Sequence, residues 1–149
     1  MRKYVLIAAS LILLALLVAC GGGGDDTQYV EYGTGDLNGE WNFQSGNPLT
    51  DNGTLTFDSK GNLIGVTPPA GSSDVILEFG GQLSVYKPST VSGSLTITSL
   101  VTAEDGTQQT VTQDLSLSGN FVASSYISGL IVNEAVENPQ SVGFSLTKN

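Results

Sequence analysis

The chain has 149 residues, room for one domain, and carries 14 acidic against 5 basic side chains, a net charge of −9, with no histidine. A chain this acidic has no basic footprint for neutralising phosphates, which excludes nucleic acid as a partner. The missing histidine removes Ser-His-Asp and Cys-His catalysis, and the single cysteine excludes an internal disulfide or a thiolate zinc cluster.

The N-terminus opens with Arg2 and Lys3, followed by an apolar run from Val5 to Ala19 broken only by Ser10. This is the layout of a secretory signal peptide. The run is shorter than the roughly 20 apolar residues that a membrane-spanning helix needs. It ends in Leu17-Val18-Ala19-Cys20, which resembles a bacterial lipobox. The resemblance implies that the Cys20 thiol carries diacylglycerol, that residues 1–19 are removed, and that the new amine is acylated as well. Two or more chains hold a protein stably at a bilayer, whereas one does so only marginally. It also implies export from the cytoplasm. Gly21, rather than Asp, follows the cysteine, which under the sorting rule of many Gram-negative lipoproteins points to the outer membrane. Loss of residues 1–19 leaves Lys60, Lys87 and Lys148 as the basic side chains.

Residues 20–36 then form the lipidated cysteine and a tether, GGGGDDTQYVEYGTGD, rich in glycine and acid. Such a composition predicts a flexible leash of at most about 50–58 Å when fully extended. Tyr29, Val30 and Tyr32 are its candidates for docking on the domain, as a first strand or a hydrophobic clasp.

From Leu37 to Asn149 the pattern is β-like. Trp41 and Phe43 alternate with Asn42, and Leu55 and Phe57 with Thr54 and Thr56. Val75, Leu77 and Phe79 alternate with Ile76 and Glu78. Residues 94–98 (SLTIT) and 114–118 (DLSLS) repeat the pattern, and Phe121 to Ile127 and Val142 to Lys148 complete the set. Period-two alternation with Ser and Thr on the other face predicts strands with one wet and one buried side. Turn chemistry falls at Asp51-Asn52-Gly53, Ser59-Lys60-Gly61-Asn62, Gly80-Gly81, Glu104-Asp105-Gly106 and Ser118-Gly119-Asn120. A single helical turn is expected at Asn133 to Glu137, before Pro139. The whole predicts an all-β domain, a small antiparallel up-and-down barrel of about eight strands, with a two-sheet sandwich as the alternative.

Leu37-Asn38-Gly39-Glu40-Trp41-Asn42-Phe43 contains G-x-W at the start of the first strand, and this resembles the opening motif of lipocalin-like (calycin) barrels. The resemblance implies a tryptophan that closes one barrel end against a basic residue on a late strand. No arginine is left for that part, and Lys148 is the residue that can approximate it. Read from its residues alone, Trp41 is first a core aromatic.

Chemistry-bearing constellations are few. Asp25-Asp26 and Glu104-Asp105 are adjacent carboxylates that read as solvated charges. Asp51-Asn52-Gly53 and Asp58 to Asn62 lack the spacing of a calcium loop, and Gly21–Gly24 lacks the flanks of a phosphate loop. No metal or cofactor is expected. Tyr86 and Tyr126 are candidate contacts for a ligand or partner, and the small residues Gly65, Ala123 and Ser125 are candidates for leaving the barrel interior hollow. The expected function is a non-catalytic, membrane-anchored binding module for a small lipophilic ligand or an envelope protein. A structural or accessory subunit is the alternative. A carboxylate-only hydrolase would require two acids converging in a cleft.

Overall fold

The computed structural model describes residues 30–45 and 53–149; Cys20, the segment before it, the glycine run, Tyr29 and the Asp51-Asn52 part of the first turn lie outside the described residues. A single-turn 3₁₀ helix, Thr34–Leu37, precedes eight strands: β1 (Gly39–Ser45), β2 (Thr54–Phe57), β3 (Leu63–Thr67), β4 (Val75–Tyr86), β5 (Thr90–Thr102), β6 (Gln108–Ala123), β7 (Tyr126–Asn133) and β8 (Ser141–Lys148).

All eight lie in one sheet in the order β3-β2-β1-β8-β7-β6-β5-β4, every ladder antiparallel. Chain neighbours therefore pair throughout, except that β1 pairs with β8 and β3 does not form a ladder with β4. The two outer strands are stitched at one end of their length. Asn62 and Gln82 form a single bridge, the Leu83 amide donates to the Gly61 carbonyl at 2.9 Å, and the Gln82 side-chain amide donates to the Lys60 carbonyl at 2.8 Å. The result is a nearly closed up-and-down barrel, not a sandwich, with a seam between β3 and β4.

The alternation in sequence becomes an inside and an outside. Along β6, Leu115, Leu117 and Phe121 are buried while Ser116, Ser118 and Asn120 face solvent. Trp41, Leu55, Phe57, Leu83, Leu95, Ile127, Ile131 and Leu146 join them in one core. Each such side chain contributes roughly 1.5–3 kcal/mol on full burial.

Several expected breaks are strand interior. Gly81 and Gly119 sit within β4 and β6, and with Gly93 and Gly129 they step diagonally across the sheet. A Cβ on Gly81, whose φ is +114°, would meet the Ser94 carbonyl oxygen at 2.2 Å; one on Gly129 would meet Gly119 Cα at 2.4 Å. These glycines let adjacent backbones close up where the long strands coil around the barrel, the other use of glycine in a strand. Conversely, Phe121 to Ile127 is not one strand. It holds the end of β6, a turn at Ser124-Ser125 and the start of β7. Instead of a helical turn, β7 ends at Asn133 and Glu134 to Glu137 form a turn and bend; the Asn133 side-chain oxygen accepts from the Asp114 and Ala135 amides.

Val75, Leu77 and Phe79 do not share a buried face either. A bulge at Leu77 shifts the phase, so that Ile76 pairs with Ser99 and Glu78 with Thr98, and all three alternating apolar residues are exposed.

The end of the barrel nearest residue 30 is shut. Leu37 is fully buried, and the Trp41 indole Nε1 donates to its carbonyl at 2.7 Å. Lys148, the register partner of Trp41 in β8, holds its ammonium 5.2 Å from the indole centroid and donates to the Asp36 carbonyl at 3.0 Å. Residues 31–36 strap across this end. Tyr32 stacks on Phe121 with ring centroids 4.4 Å apart, and its amide donates to the Pro88 carbonyl at 2.8 Å. The Val85 amide donates to the Thr34 hydroxyl, and Glu31 pairs with Lys87. Tyr32 is thus a clasp, while Val30 stays exposed.

Candidate functional site

Among the described residues, the opposite end of the barrel is open. Here β5 and β6 run past their neighbours, and the inner face of that overhang does not meet a complete ring of strands. A cleft of about 540 Å³ results, a size typical of small-molecule sites. Its floor is Phe43, Leu55, Ile97 and Leu115, each buried in the core. Val66, Ile76, Val101 and Val111 form the walls. Ser99, Gln109 and Gln113 supply polar groups from the same inner face. The β3–β4 loop, from Thr67 through Pro68, Pro69, Ala70, Gly71 and Ser72 to Asp74, forms one side of the rim.

The sequence explains this end locally. Past Ile97 and before Leu115 the inward positions become Ser99, Val101, Gln109, Val111 and Gln113, shorter or more polar than the Leu, Phe and Trp of the closed half. The interior is therefore filled at one end and hollow at the other. Among the described residues Asp74 is the one ionisable side chain in the lining, and no cationic side chain takes part.

Other singled-out residues lie elsewhere. Asp105 sits in the β5–β6 turn, where the Thr107 hydroxyl and amide donate to its Oδ1 at 2.6 and 2.9 Å and hold its carboxyl below the usual range, the hydroxyl foremost. Asp58 plays the same part in the β2–β3 turn. The Asn62 side-chain amide donates to it at 2.8 Å, and the Asn62 and Lys60 backbone amides at 2.9 and 2.8 Å. The first of these contacts lowers its pKa most. Both carboxylates are turn-forming groups, as hydrogen bonds of this local kind predict. Among the described residues no group of three His, Cys, Asp or Glu is placed to hold a metal, and no helix is long and apolar enough to cross a membrane.

Tyr86 is exposed at the closed-end tip of β4. Tyr126 is exposed at the start of β7, beside a shallow depression on the outer wall lined by Gln44, Ser45 and Gly143 to Ser145. Neither reaches the cleft. Ala123 and Ser125 are exposed at the β6–β7 turn and do not face the interior, and a Cβ on Gly65 would meet the Thr56 side chain at 3.1 Å. The hollow comes instead from Val101, Val111 and Ser99, whose alternation is the same as that of filled positions. What sets these positions apart is the length of their strands: β5 and β6 have 13 and 16 residues against 7 and 4 in β1 and β2. Comparison of the chain with protein-family models, with curated proteins and with solved structures found no match.

Proposed function

We propose that this chain is a lipid-anchored cell-envelope lipoprotein whose barrel binds a small apolar molecule in its open mouth, without catalysis. The observation that carries the reading is the cleft itself, concave and walled by valine, isoleucine, leucine and phenylalanine, with a few convergent polar groups. The anchor rests on the lipobox resemblance, with Cys20 as the acylated residue and the outer membrane as its address. Residues 31–36 cross the shut end, so the described chain enters the barrel at the end opposite the mouth. The Trp41–Lys148 contact supports the lipocalin-like resemblance at the one place where that resemblance made a residue-level demand.

The test is titration of the full-length chain, held in neutral detergent, with the uncharged fluorophore N-phenyl-1-naphthylamine. Saturable enhancement is expected. Val111→Trp fills the cleft from its wall and should weaken binding about ten-fold, equivalent to roughly 1.4 kcal/mol. Equal binding by that variant places the fluorophore elsewhere and sinks the reading. For the anchor, Cys20→Ala should abolish lipid labelling and membrane retention; retention unchanged by that substitution refutes it. The accessory-subunit alternative draws on Tyr126 and Leu130, both exposed on the outer face of β7. A stoichiometric protein cross-link to that face in intact cells, with no saturable fluorophore site, favours it instead.

A further inference from the structure

The apolar surface of this barrel does not end at the mouth. Ile64 on β3 is 56% exposed, and Val75, Leu77 and Phe79 on β4 are 53%, 50% and 42% exposed. These large hydrophobic residues lie on the two strands that flank the seam. Phe79 is the most telling of them. It pairs with Ile97, which is buried, and has the same parity as the buried Leu83, so it belongs to the inner face of the sheet. An inner-face phenylalanine stays wet here because no ladder joins the other edge of its strand to β3. Beyond the Asn62–Gln82 bridge, no backbone ladder joins Leu63–Thr67 to Val75–Gly81. Val66 and Ile76, further along the same two strands, line the cleft.

Soluble domains ordinarily blunt an open strand edge with charge or proline, and long apolar edges are a pairing hazard. This edge carries Glu78 alone among its exposed large side chains of β4 before Gly80, and is otherwise apolar. Among the described residues the cleft behind it has no cation and a single carboxylate, Asp74, in a chain whose overall charge is negative. A carboxylate or phosphate headgroup drawn into it would lose hydration without a cationic partner to offset the loss.

We infer that the β3–β4 seam is a side portal continuous with the cleft, and that the ligand is an uncharged, chain-like lipid whose hydrocarbon passes between Ile64 and Phe79. This rests on the cleft reading above and adds the route and the ligand class. Residues of the cleft take one part of the molecule, with Ser99 and Gln109 available to a hydroxyl or ester. The seam takes the remainder of the chain, for which the closed half of the barrel leaves no room.

The experiment uses the full-length chain reconstituted in phosphatidylcholine vesicles and hexadecanol carrying a mid-chain diazirine. Photolysis should place saturable cross-links both in the cleft and on the seam strands, residues 63–67 and 75–80. Unlabelled hexadecanol should compete about ten-fold better than hexadecanoate at a pH of about 8, where the acid is charged. Leu77→Ser with Phe79→Ser, both exposed and so compatible with folding, should remove the seam cross-links and weaken competition about ten-fold. Leu130→Ser, exposed on the far wall, should change neither. Cross-links confined to the mouth loops, with the double variant unaffected, overturn the portal and leave the cleft reading standing. Equal competition by hexadecanoate overturns the uncharged class. No saturable cross-link anywhere overturns both this inference and the cleft reading beneath it.

Discussion

Replacing Trp41 by Phe probes the shut end of the barrel with a change small enough to keep the fold. Three things are lost. The indole N–H no longer reaches the Leu37 carbonyl, a buried hydrogen bond of 2.7 Å; stranding a buried acceptor costs about 1–3 kcal/mol. The Lys148 ammonium, 5.2 Å from the indole centroid, keeps only a weaker ring beneath it, a difference within the roughly 0.5–1 kcal/mol of an exposed cation–π contact. The smaller ring also leaves a void against Phe121, which the indole meets edge-on at 6.1 Å, adding about 0.5–1 kcal/mol. The total is about 1.5–5 kcal/mol out of the roughly 5–15 kcal/mol typical of a domain. With a urea m-value of about 1.5 kcal/mol/M, the midpoint should fall by about 1–3.3 M, followed by far-ultraviolet circular dichroism. A double-mutant cycle with Lys148→Met separates the ring–cation share, expected at about 0.5–1 kcal/mol, from the loss of the Lys148 contact to Asp36. A midpoint shift under about 0.5 M would mean that Leu37 finds another donor and that this end is not held as described.

Glycine substitutions separate close backbone contact from open surface. Gly129→Ala pushes a methyl into Gly119 Cα and the Ser118 carbonyl, and should cost about 1–3 kcal/mol or more by thermal melting. Gly143→Ala meets nothing within 4 Å and should stay within about 0.5 kcal/mol of the parent. Acid should loosen the β2–β3 turn. The Asp58 carboxyl is held below its ordinary value, so its contribution is fully present above about pH 4 and is lost as pH falls through the folded value. Asp58→Asn should flatten that part of the stability–pH curve. An unchanged acid slope, measured by urea midpoints across the range, would assign the sensitivity to other carboxylates. The Val111→Trp and Cys20→Ala variants complete the set, one on the cleft and one on the anchor.

Alternation carried most of the fold. Trp41 and Phe43, Leu55 and Phe57, Leu115 and Leu117 are inward as their spacing demands, and the eight-stranded meander follows from them. Glycine was the ambiguous letter. At Gly61, with φ of +78°, it makes the turn its neighbours advertise. At Gly81 and Gly119 the same residue instead lets two strands touch, and nothing in a local window distinguishes the two uses. Ser124-Ser125 turns the chain without glycine or asparagine, so it passed as strand. At Leu77 one extra residue inverted the phase of β4. Lys148 was legible because a tryptophan at a barrel end asks for a cation and few cations exist. The cleft was not, because Val101 and Val111 look in sequence like any other inward valine. Their significance comes from strands that outrun their neighbours, which is a property of the register.

The placement of the seam has a consequence for how the barrel assembles. Trp41 pairs with Lys148 across 107 positions of the chain, while the pairings from β4 to β8 join consecutive strands. Local hairpins can form early, but the β1–β2–β3 portion must wait for β8 and bear the larger loop-closure entropy. Folding should therefore be limited by capture of that three-stranded flap onto an already formed five-stranded meander. A circular permutant beginning at Val75 and ending at Thr67, with residue 149 joined to residue 30, would make every ladder a nearest-neighbour pairing. It should fold faster than the natural order while keeping the same inner face, and its new termini would open at the seam.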